Sequence, residues 1–302
     1  MTDVALTETS PELERHTPWI VTWLTWPILF AVNLLIIAHA IVFHWNLSIS
    51  LAAATAIPIV ALVTLEFLYP LDRRWRMTWR TFFFRDLKFF VAGGLTGAAT
   101  NYAFGTIGLN LAADHTGPAT NWPLWLAAPA AILAFDFFQY WQHRWSHEAN
   151  TPFKRFLWKT HAAHHLPEQV YVLMHPAGHP FNFIFLQGFI RIPLFYLLGF
   201  SPEALFAATA IMGLQGVISH CNVDLRAGWF NYLLAGAELH RYHHSADIEE
   251  GQNYAVTISL LDVIFGTFVY HPGENPERLG ISDPDAYPRS NQFWRIMLIP
   301  FR

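Results

Sequence analysis

Sulfur and charge are both scarce in this 302-residue chain. Its single cysteine, Cys221, cannot form an intramolecular disulfide, and a metal site here can have at most one sulfur ligand. Only 13% of the residues are charged, against about 25% in soluble domains, while 53% are hydrophobic. The net charge is −4 and no long basic run is present, so nothing favours nucleic acid as a partner. The composition therefore predicts a membrane protein that binds no nucleic acid.

Two common enzyme signatures are missing as well. No glycine-rich fingerprint for binding a flavin or nicotinamide is recognisable. No HExxH zinc motif is present either, because His147-Glu148 is followed by Ala149-Asn150. The polar, mostly acidic tail over residues 1–18 lacks the basic start and apolar core of a secretory signal.

What the chain has in abundance is long apolar runs. Four of them cover about residues 19–43, 47–69, 89–111 and 124–140, and such runs are typical of membrane-spanning helices. Two more, about 181–200 and 204–219, are joined by a very short link and fit either two spans or a shallow hairpin. We expect an all-α fold, a multi-pass transmembrane helical bundle with four long spans plus a hairpin. After the tail, residues 19–302 are expected to form a single membrane domain.

A dense basic loop separates the second run from the third. It begins with Asp72-Arg73-Arg74-Trp75-Arg76 and continues to Lys88. The positive-inside rule places this loop in the cytoplasm, and docking of an anionic lipid or a redox partner is an alternative role. With the tail also in the cytoplasm, four spans return the chain at His143 to the cytoplasmic face. The prediction is an integral membrane protein of a bacterial inner membrane or the endoplasmic reticulum, with a helical cap on the cytoplasmic face.

Three compact histidine groups mark the predicted cap. Their patterns are HxxxH, HxxHH and HxxHH, and positions i, i+3 and i+4 share one face of a helix, so each group can aim two or three imidazoles at one point. Eight histidines exceed the roughly four to six ligands of one ion, which predicts two metal ions held mostly by nitrogen. Imidazole suits zinc, copper, iron and nickel, and the spacing alone does not name the metal. The eight are His143, His147, His161, His164, His165, His240, His243 and His244.

The order of these groups resembles the fatty acid hydroxylase/sterol desaturase superfamily of membrane di-iron oxidoreductases. The resemblance covers roughly residues 130–270. Two departures from the family pattern are Ala255, where glycine is usual, and Leu261, where tryptophan is usual. Besides the histidine groups, the matching positions are Asp136, Tyr140, Arg144, His179-Pro180, Asn253-Tyr254, Asp262 and Phe265-Gly266-Thr267.

The resemblance implies a cofactor, a co-substrate and partners. It implies two non-haem iron ions, O₂, a lipid within the bilayer as substrate, and an external electron donor such as a b-type cytochrome or ferredoxin with its reductase. The di-iron centre itself is then the catalytic group. Hydroxylation and desaturation both remain open, as does the choice between a fatty acyl chain, a sterol and a related lipid.

Further site residues are predicted around the three groups. By the resemblance, His220 is expected to be a ninth ligand, and His179 and Asn253 are candidates for a ligand or for a group that hydrogen-bonds a ligand. Asp136 lies one heptad before His143, roughly on the same helix face, and is expected to accept a hydrogen bond from a ligand imidazole. Glu238 is expected to face away from the site.

Two other classes of protein compete with this interpretation. The first is a histidine-rich zinc-dependent membrane hydrolase. The second is a non-enzymatic membrane protein that binds a metal or haem, although haem takes single axial ligands rather than clustered triplets. A transporter would hold its ionisable groups at mid-membrane, whereas these histidines lie at the predicted helix ends.

Overall fold

The computed structural model describes residues 17–112 and 116–302, and in that part of the chain the fold is helical with no strand. One isolated antiparallel bridge joins Ser245 to Leu279. The predicted all-α class is confirmed for these residues. Most of the predicted polar tail, residues 1–16, lies outside them.

The predicted apolar runs form the long helices. In chain order the main helices are α1 (Trp19–Val42), α2 (Leu47–Leu68), α3 (Leu87–Ala112), α4 (Leu124–Glu148), α5 (Pro152–His165), α6 (Pro180–Leu198), α7 (Pro202–Ser219), α8 (Ala237–His243), α9 (Leu260–Phe265) and α10 (Phe293–Met297). The shorter turns are an α-helical turn at Trp79–Thr81, π-helical segments at Phe82–Asp86 and, inside α6, Ile184–Arg191, and 3₁₀ turns at Arg73–Trp75, Val172–Met174, Gly228–Tyr232, Pro284–Ala286 and Ile299–Phe301.

Helices α1, α2, α4, α6 and α7 are each long and apolar enough to cross a membrane. The protein is therefore an integral membrane protein. The third predicted run forms the 26-residue helix α3, which is not among these five, because glycine, threonine and asparagine dilute its apolar residues. The exact number of spans thus stays a prediction.

A tight connection joins α6 to α7, as the sequence predicts. Helix α6 ends at Leu198 and is followed by Gly199, whose φ of +70° is a left-handed conformation that glycine adopts without strain. Helix α7 begins at Pro202, and the side chain of Ser201 just before it accepts a hydrogen bond from the Ala204 amide at 3.2 Å.

The charge of Arg191, in the middle of α6, is accommodated by protein groups. Its guanidinium hydrogen-bonds Thr209 and Gln187, and it lies 5.6 Å from the ring centroids of Phe135 and Phe195. Charged groups in membrane segments usually face the bundle interior in this way.

Four chain segments bring the histidine groups to one end of the bundle. They are the last turns of α4, helix α5, the end of α7 and helix α8. Alanines and phenylalanines of α4 and α7 pack together, and α1 and α2 cover the other side of α7. The Trp26 indole of α1 donates to the Gln215 side chain at 2.8 Å, which fixes α1 against α7 near this end.

Candidate metal centre

The nine predicted histidine ligands form two buried clusters. Within each cluster the ring nitrogens that could bind a metal all lie within 4.8 Å of one another. The clusters abut, because the rings of His165 and His244, one from each, stack with centroids 4.5 Å apart. The first cluster holds His143, His147, His161, His165 and His243, and the second holds His164, His220, His240 and His244.

Helical spacing decides which cluster each ring joins. In α5, His161 and His165 lie four residues apart and share the first cluster, while His164 points into the second. The third group divides in the opposite sense, since His240 and His244 join the second cluster and His243 the first. Each HxxHH group thus serves both clusters, whereas the sequence predicted that each would aim at one point.

Backbone carbonyls hold the imidazoles in place through their outer nitrogens. The Nδ1 atom of His143 donates to the Tyr254 carbonyl at 2.7 Å, and that of His243 donates to the Gln252 carbonyl at 2.8 Å. In the second cluster, Nδ1 of His164 lies 3.1 Å from the Ala177 carbonyl and Nδ1 of His220 lies 2.9 Å from the Gly216 carbonyl. A carbonyl only accepts hydrogen bonds, so each Nδ1 carries the proton and each Nε2 keeps a free lone pair.

These inward lone pairs fit a metal ion in each cluster. Neighbouring Nε2 atoms lie 2.9 Å apart in the first cluster and 3.0–3.1 Å apart in the second. Two nitrogens at right angles on an ion about 2.1 Å away would be separated by about 3.0 Å. The Nε2 atoms of His147 and His243 are buried without any hydrogen-bond partner. Unpaired nitrogen lone pairs in such a place need a cation, and the donor set therefore fits two ions.

Burial also sets the protonation state that a metal requires. It lowers the pKa of His164 to about 4, and it lowers the pKa of His161 and His165 well below the ordinary value, with repulsion from neighbouring imidazoles adding to the effect. These three imidazoles are consequently neutral at pH 7. Neutral imidazole is the form that binds metal.

Asp136 acts on a loop rather than directly on a ligand ring. Its fully buried carboxylate accepts hydrogen bonds from the amides of Val256, Thr257 and Ile258 at 2.5–3.3 Å. That loop continues from Tyr254, whose carbonyl holds His143. The expected hydrogen bond from an imidazole to Asp136 is thus replaced by a longer connection through the backbone.

Asn253 and His179 lie outside both clusters. Asn253 has a φ of +58°, and its side chain bonds the Leu239 carbonyl and both backbone groups of Val269 at 2.8–3.0 Å. His179 caps the start of α6 by accepting the Phe181 amide at 3.1 Å, and its Nε2 lies 3.3 Å from the Met297 carbonyl. Both residues organise the chain around the site.

The other positions of the family resemblance form a support around the first cluster. The Tyr140 hydroxyl lies 2.8 Å from the Thr267 hydroxyl, which in turn donates to Asp262 at 2.8 Å. Asp262 also accepts the amides of Tyr254 and Ala255 at 2.7 and 3.0 Å. These bonds fix the segment whose carbonyl positions His143.

Two residues outside the predicted ligand set lie behind His220. Nδ1 of His175 lies 3.1 Å from Nδ1 of His220. Glu66, at the end of α2, accepts the amides of Val172 and Asn222 at 2.9 and 2.8 Å and so fixes the chain on either side of these two rings. A carboxylate inside an otherwise apolar run was the available signal for Glu66.

Comparison with known proteins adds a family match over the same region. A family model described as fatty acid hydroxylase matches residues 128–267, a range that includes all nine clustered histidines. No solved structure matches the chain.

The names of three similar proteins refer to an ornithine lipid, a methylsterol and a very-long-chain aldehyde. An ornithine lipid hydroxylase, OlsE, of Rhizobium tropici is 31% identical over 54% of this chain and 47% of its own length. A methylsterol monooxygenase of Arabidopsis thaliana is 32% identical over 48% of this chain and 54% of its own length. A very-long-chain aldehyde decarbonylase, GL1-8, of Oryza sativa subsp. indica is 29% identical over 48% of this chain and 54% of its own length. The chain thus spans about half the length of these relatives.

Proposed function

Because the chain belongs, through its histidine-bearing region, to the fatty acid hydroxylase/sterol desaturase superfamily, we propose that it is a membrane-bound oxidoreductase that hydroxylates or desaturates a lipid with O₂. Two non-haem iron ions are the proposed cofactors. One observation carries the proposal. Five imidazoles form one cluster and four form a second beside it, and the nitrogens that point inward do not all have a hydrogen-bond partner.

The chain's part in this chemistry is to hold the ions and to shape their surroundings. The first ion would be bound by the five imidazoles of the first cluster and the second ion by the four of the second. Two bound irons would supply the electrons and oxidising power that cleavage of an unactivated C–H bond by O₂ demands. The carbonyls of Tyr254, Gln252, Ala177 and Gly216 keep the rings oriented toward the ions.

The position of the clusters suits a lipid substrate. They lie at one end of the apolar helices, where a chain from the bilayer can reach them. We propose that this end faces the cytoplasm and that electrons arrive there from a b-type cytochrome or a ferredoxin with its reductase. The names of the relatives favour hydroxylation, since two of the three are a hydroxylase and a monooxygenase.

The donor set favours oxidation over zinc hydrolysis. Catalytic zinc sites have three protein ligands and one open position. Here each cluster brings more imidazoles than that to its centre, and the carboxylates that hydrogen-bond near it hold backbone amides rather than rings. A hydrolase would also need a base beside the ion, and the described residues place none in hydrogen-bond contact with the clustered rings.

Isotope labelling of whole-cell lipids tests the proposed reaction. Cells that express the protein are grown under ¹⁸O₂, and their lipids are compared by mass spectrometry with those of cells expressing His165→Ala. We expect a lipid that carries one labelled oxygen, or one that has lost two hydrogens, only in cells with the unmodified protein. A product whose new oxygen comes from water instead would contradict oxygenation and favour the hydrolase.

A further inference from the structure

A second concave site lies behind the histidine clusters. It is a cavity of about 720 Å³, within the roughly 300–1,000 Å³ of typical ligand sites. Its inner surface includes the buried side chains of Trp75, Arg85, Leu166 and Leu279. None of the clustered histidines lines it.

One wall of this cavity is attached to the metal centre. The Gly280 amide donates to the His244 carbonyl at 2.9 Å, and the Ala246 amide donates to the Arg278 carbonyl at 2.8 Å. Leu166, on the adjoining wall, directly follows His165. A ligand bound here would therefore rest against the outer side of the histidine-bearing backbone.

The cavity is lined by charges of both signs. Arg74 and Arg85 are neutralised by Asp72 and Asp86, at 2.6 and 2.7 Å. The remaining six charged side chains make no ion pair within the part of the chain that the structure describes. They are Arg80, Arg278, Arg289, Glu168, Glu277 and Asp285.

This balance indicates the kind of ligand that fits. Three cations and three anions that do not pair with each other leave room for a molecule that carries both a negative and a positive group. Arginine is well suited to phosphate, which its planar fork binds through two hydrogen bonds. Glutamate and aspartate would bind an ammonium group on the same molecule.

Exposed aromatic side chains near the cavity suit a position at the membrane surface. Trp79 is 68% exposed and Phe84, which lines the cavity, is 64% exposed. On the other side, Trp294 is 77% exposed, three residues after the lining residue Asn291. Aromatic rings of this kind are enriched at the level of lipid headgroups.

We propose that this cavity binds the headgroup of a zwitterionic phospholipid. Arg80, Arg278 and Arg289 hold the phosphate, and Glu168 and Glu277 hold the ammonium group. Phe84 and Trp79 contact the glycerol and the start of the acyl chains. The site is independent of the proposed oxygenation, since a lipid bound here need not be the substrate.

Binding of short-chain lipids to the full-length protein in detergent tests the proposal. The probes for calorimetric titration are short-chain phosphatidylethanolamine, short-chain phosphatidylglycerol and water-soluble glycerophosphoethanolamine. We expect phosphatidylethanolamine to bind at least about tenfold more tightly than either of the others. Phosphatidylglycerol lacks the ammonium group and so loses its charge-assisted contacts, whereas glycerophosphoethanolamine lacks the acyl chains and so loses the apolar contacts.

Charge-neutralising variants assign the two halves of the headgroup. The double variant Arg80→Gln/Arg289→Gln should weaken the binding of both short-chain lipids by about tenfold or more, whereas Glu277→Gln should weaken the binding of phosphatidylethanolamine alone. Arg295→Gln removes an exposed charge from α10 outside the cavity and should change nothing. Unchanged metal content and melting temperature show that each variant is folded, and Arg289→Gln alone replaces the double variant if that one is not.

Three results would overturn the proposal, each in a different way. Equal binding of both lipids, with no effect of Glu277→Gln, would mean that the cavity selects no zwitterion. If glycerophosphoethanolamine bound as tightly as phosphatidylethanolamine, the ligand would be a soluble molecule instead of a lipid. If the arginine variants bound lipid normally but were themselves reduced more slowly by the electron donor, the cavity would be a docking site for a protein.

Discussion

At the scale of single residues, the site is held by hydrogen bonds that run through the backbone. The ligand rings bond to carbonyl groups, and buried carboxylates fix the segments that carry those carbonyls. Asp136 is the clearest case, because it receives three consecutive amides of the loop that follows Tyr254. Its contribution to the metal centre is therefore indirect.

Replacement of Asp136 should loosen this loop. In Asp136→Ala one buried and two partly buried amides lose their acceptor, at up to about 1–3 kcal/mol each, and the Tyr254 carbonyl is no longer fixed against His143. We expect a lower melting temperature and about tenfold weaker metal binding at the first cluster. Asp136→Asn keeps one acceptor oxygen and should lie between the alanine variant and the unmodified protein. Full metal affinity in Asp136→Ala would show that the loop does not position His143.

Loss of a ligand ring should have a larger and more local effect. His161→Ala, His165→Ala and His243→Ala each remove one nitrogen from the first cluster, and each should abolish turnover and lower the iron content. His271→Ala is the matched control, since His271 is exposed and belongs to neither cluster. Iron analysis of the four purified variants checks this, and normal iron and turnover in any of the first three would remove that residue from the ligand set. His16→Ala is also expected to be silent, although His16 lies outside the described residues.

The residue types of the site could be predicted from the sequence, but their partners could not. All nine clustered histidines follow from three short patterns and one family position. Nothing in those patterns reports that Tyr254 and Gln252 would supply carbonyls, because any residue type has one. Glu238 was correctly expected to face away, and it accepts hydrogen bonds from Ala227 and Asn231 instead.

At the scale of helices, the angle between positions explains how three groups make two clusters. At 3.6 residues per turn, positions i and i+4 differ by about 40°, whereas i+3 and i+4 differ by about 100°. A helix between two ions can thus give its i and i+4 rings to one and its i+3 ring to the other. Helix α5 does this with His161, His165 and His164.

One segment departs from the helical pattern of its sequence. The segment from Trp229 to Leu239 looks like a single amphipathic helix, but the structure has a 3₁₀ turn at Gly228–Tyr232 and then α8, which begins only at Ala237. The break arises because Glu238 bonds the Ala227 amide and the Asn231 side chain and draws the loop back onto α8. Such a bond between residues eleven apart overrides a weak helical pattern.

Helix α7 offers a test of the second cluster that leaves its ligands intact. A methyl group on Gly216 would lie 2.8 Å from Cε1 of His175, the ring that backs His220. We expect Gly216→Ala to displace this ring and to weaken metal binding at the second cluster by about tenfold or more. Gly213→Ala is the control, because its methyl group would meet nothing within 4 Å. Metal titration distinguishes the two, and equal affinities would show that His175 does not position His220.

At the scale of the whole molecule, the two ends of the bundle differ. Thr22 of α1 bonds Arg226 and Glu66 of α2 bonds Asn222, so the start of α1 and the end of α2 lie at the histidine end. The link between these helices, with the exposed His44, lies at the opposite end. The sequence predicts that the histidine end faces the cytoplasm.

Cysteine labelling tests this orientation with little background, since Cys221 is buried. Single cysteines replace His44 at one end and the exposed Glu249 at the other. In sealed right-side-out vesicles a membrane-impermeant maleimide should label His44→Cys and leave Glu249→Cys unlabelled until detergent is added. The reverse pattern would place the histidines outside.

Hydrophobic runs predicted the bundle well but its span count less well. The runs that became α1, α2 and α4 meet both the length and the hydropathy that a span requires. The run that became α3 forms a long helix but does not meet both. Hydropathy measures only the apolar content of a helix, and small residues lower it. Small residues instead allow a helix to pack closely against its neighbours, as Gly93 does against Phe183.

The most direct test of the whole account is the metal content of the detergent-purified protein from iron-supplemented cells, measured together with its Mössbauer spectrum. Two clusters of neutral imidazoles predict about two non-haem irons per chain, coupled to one another. A single zinc ion, or a haem, would contradict the central claim.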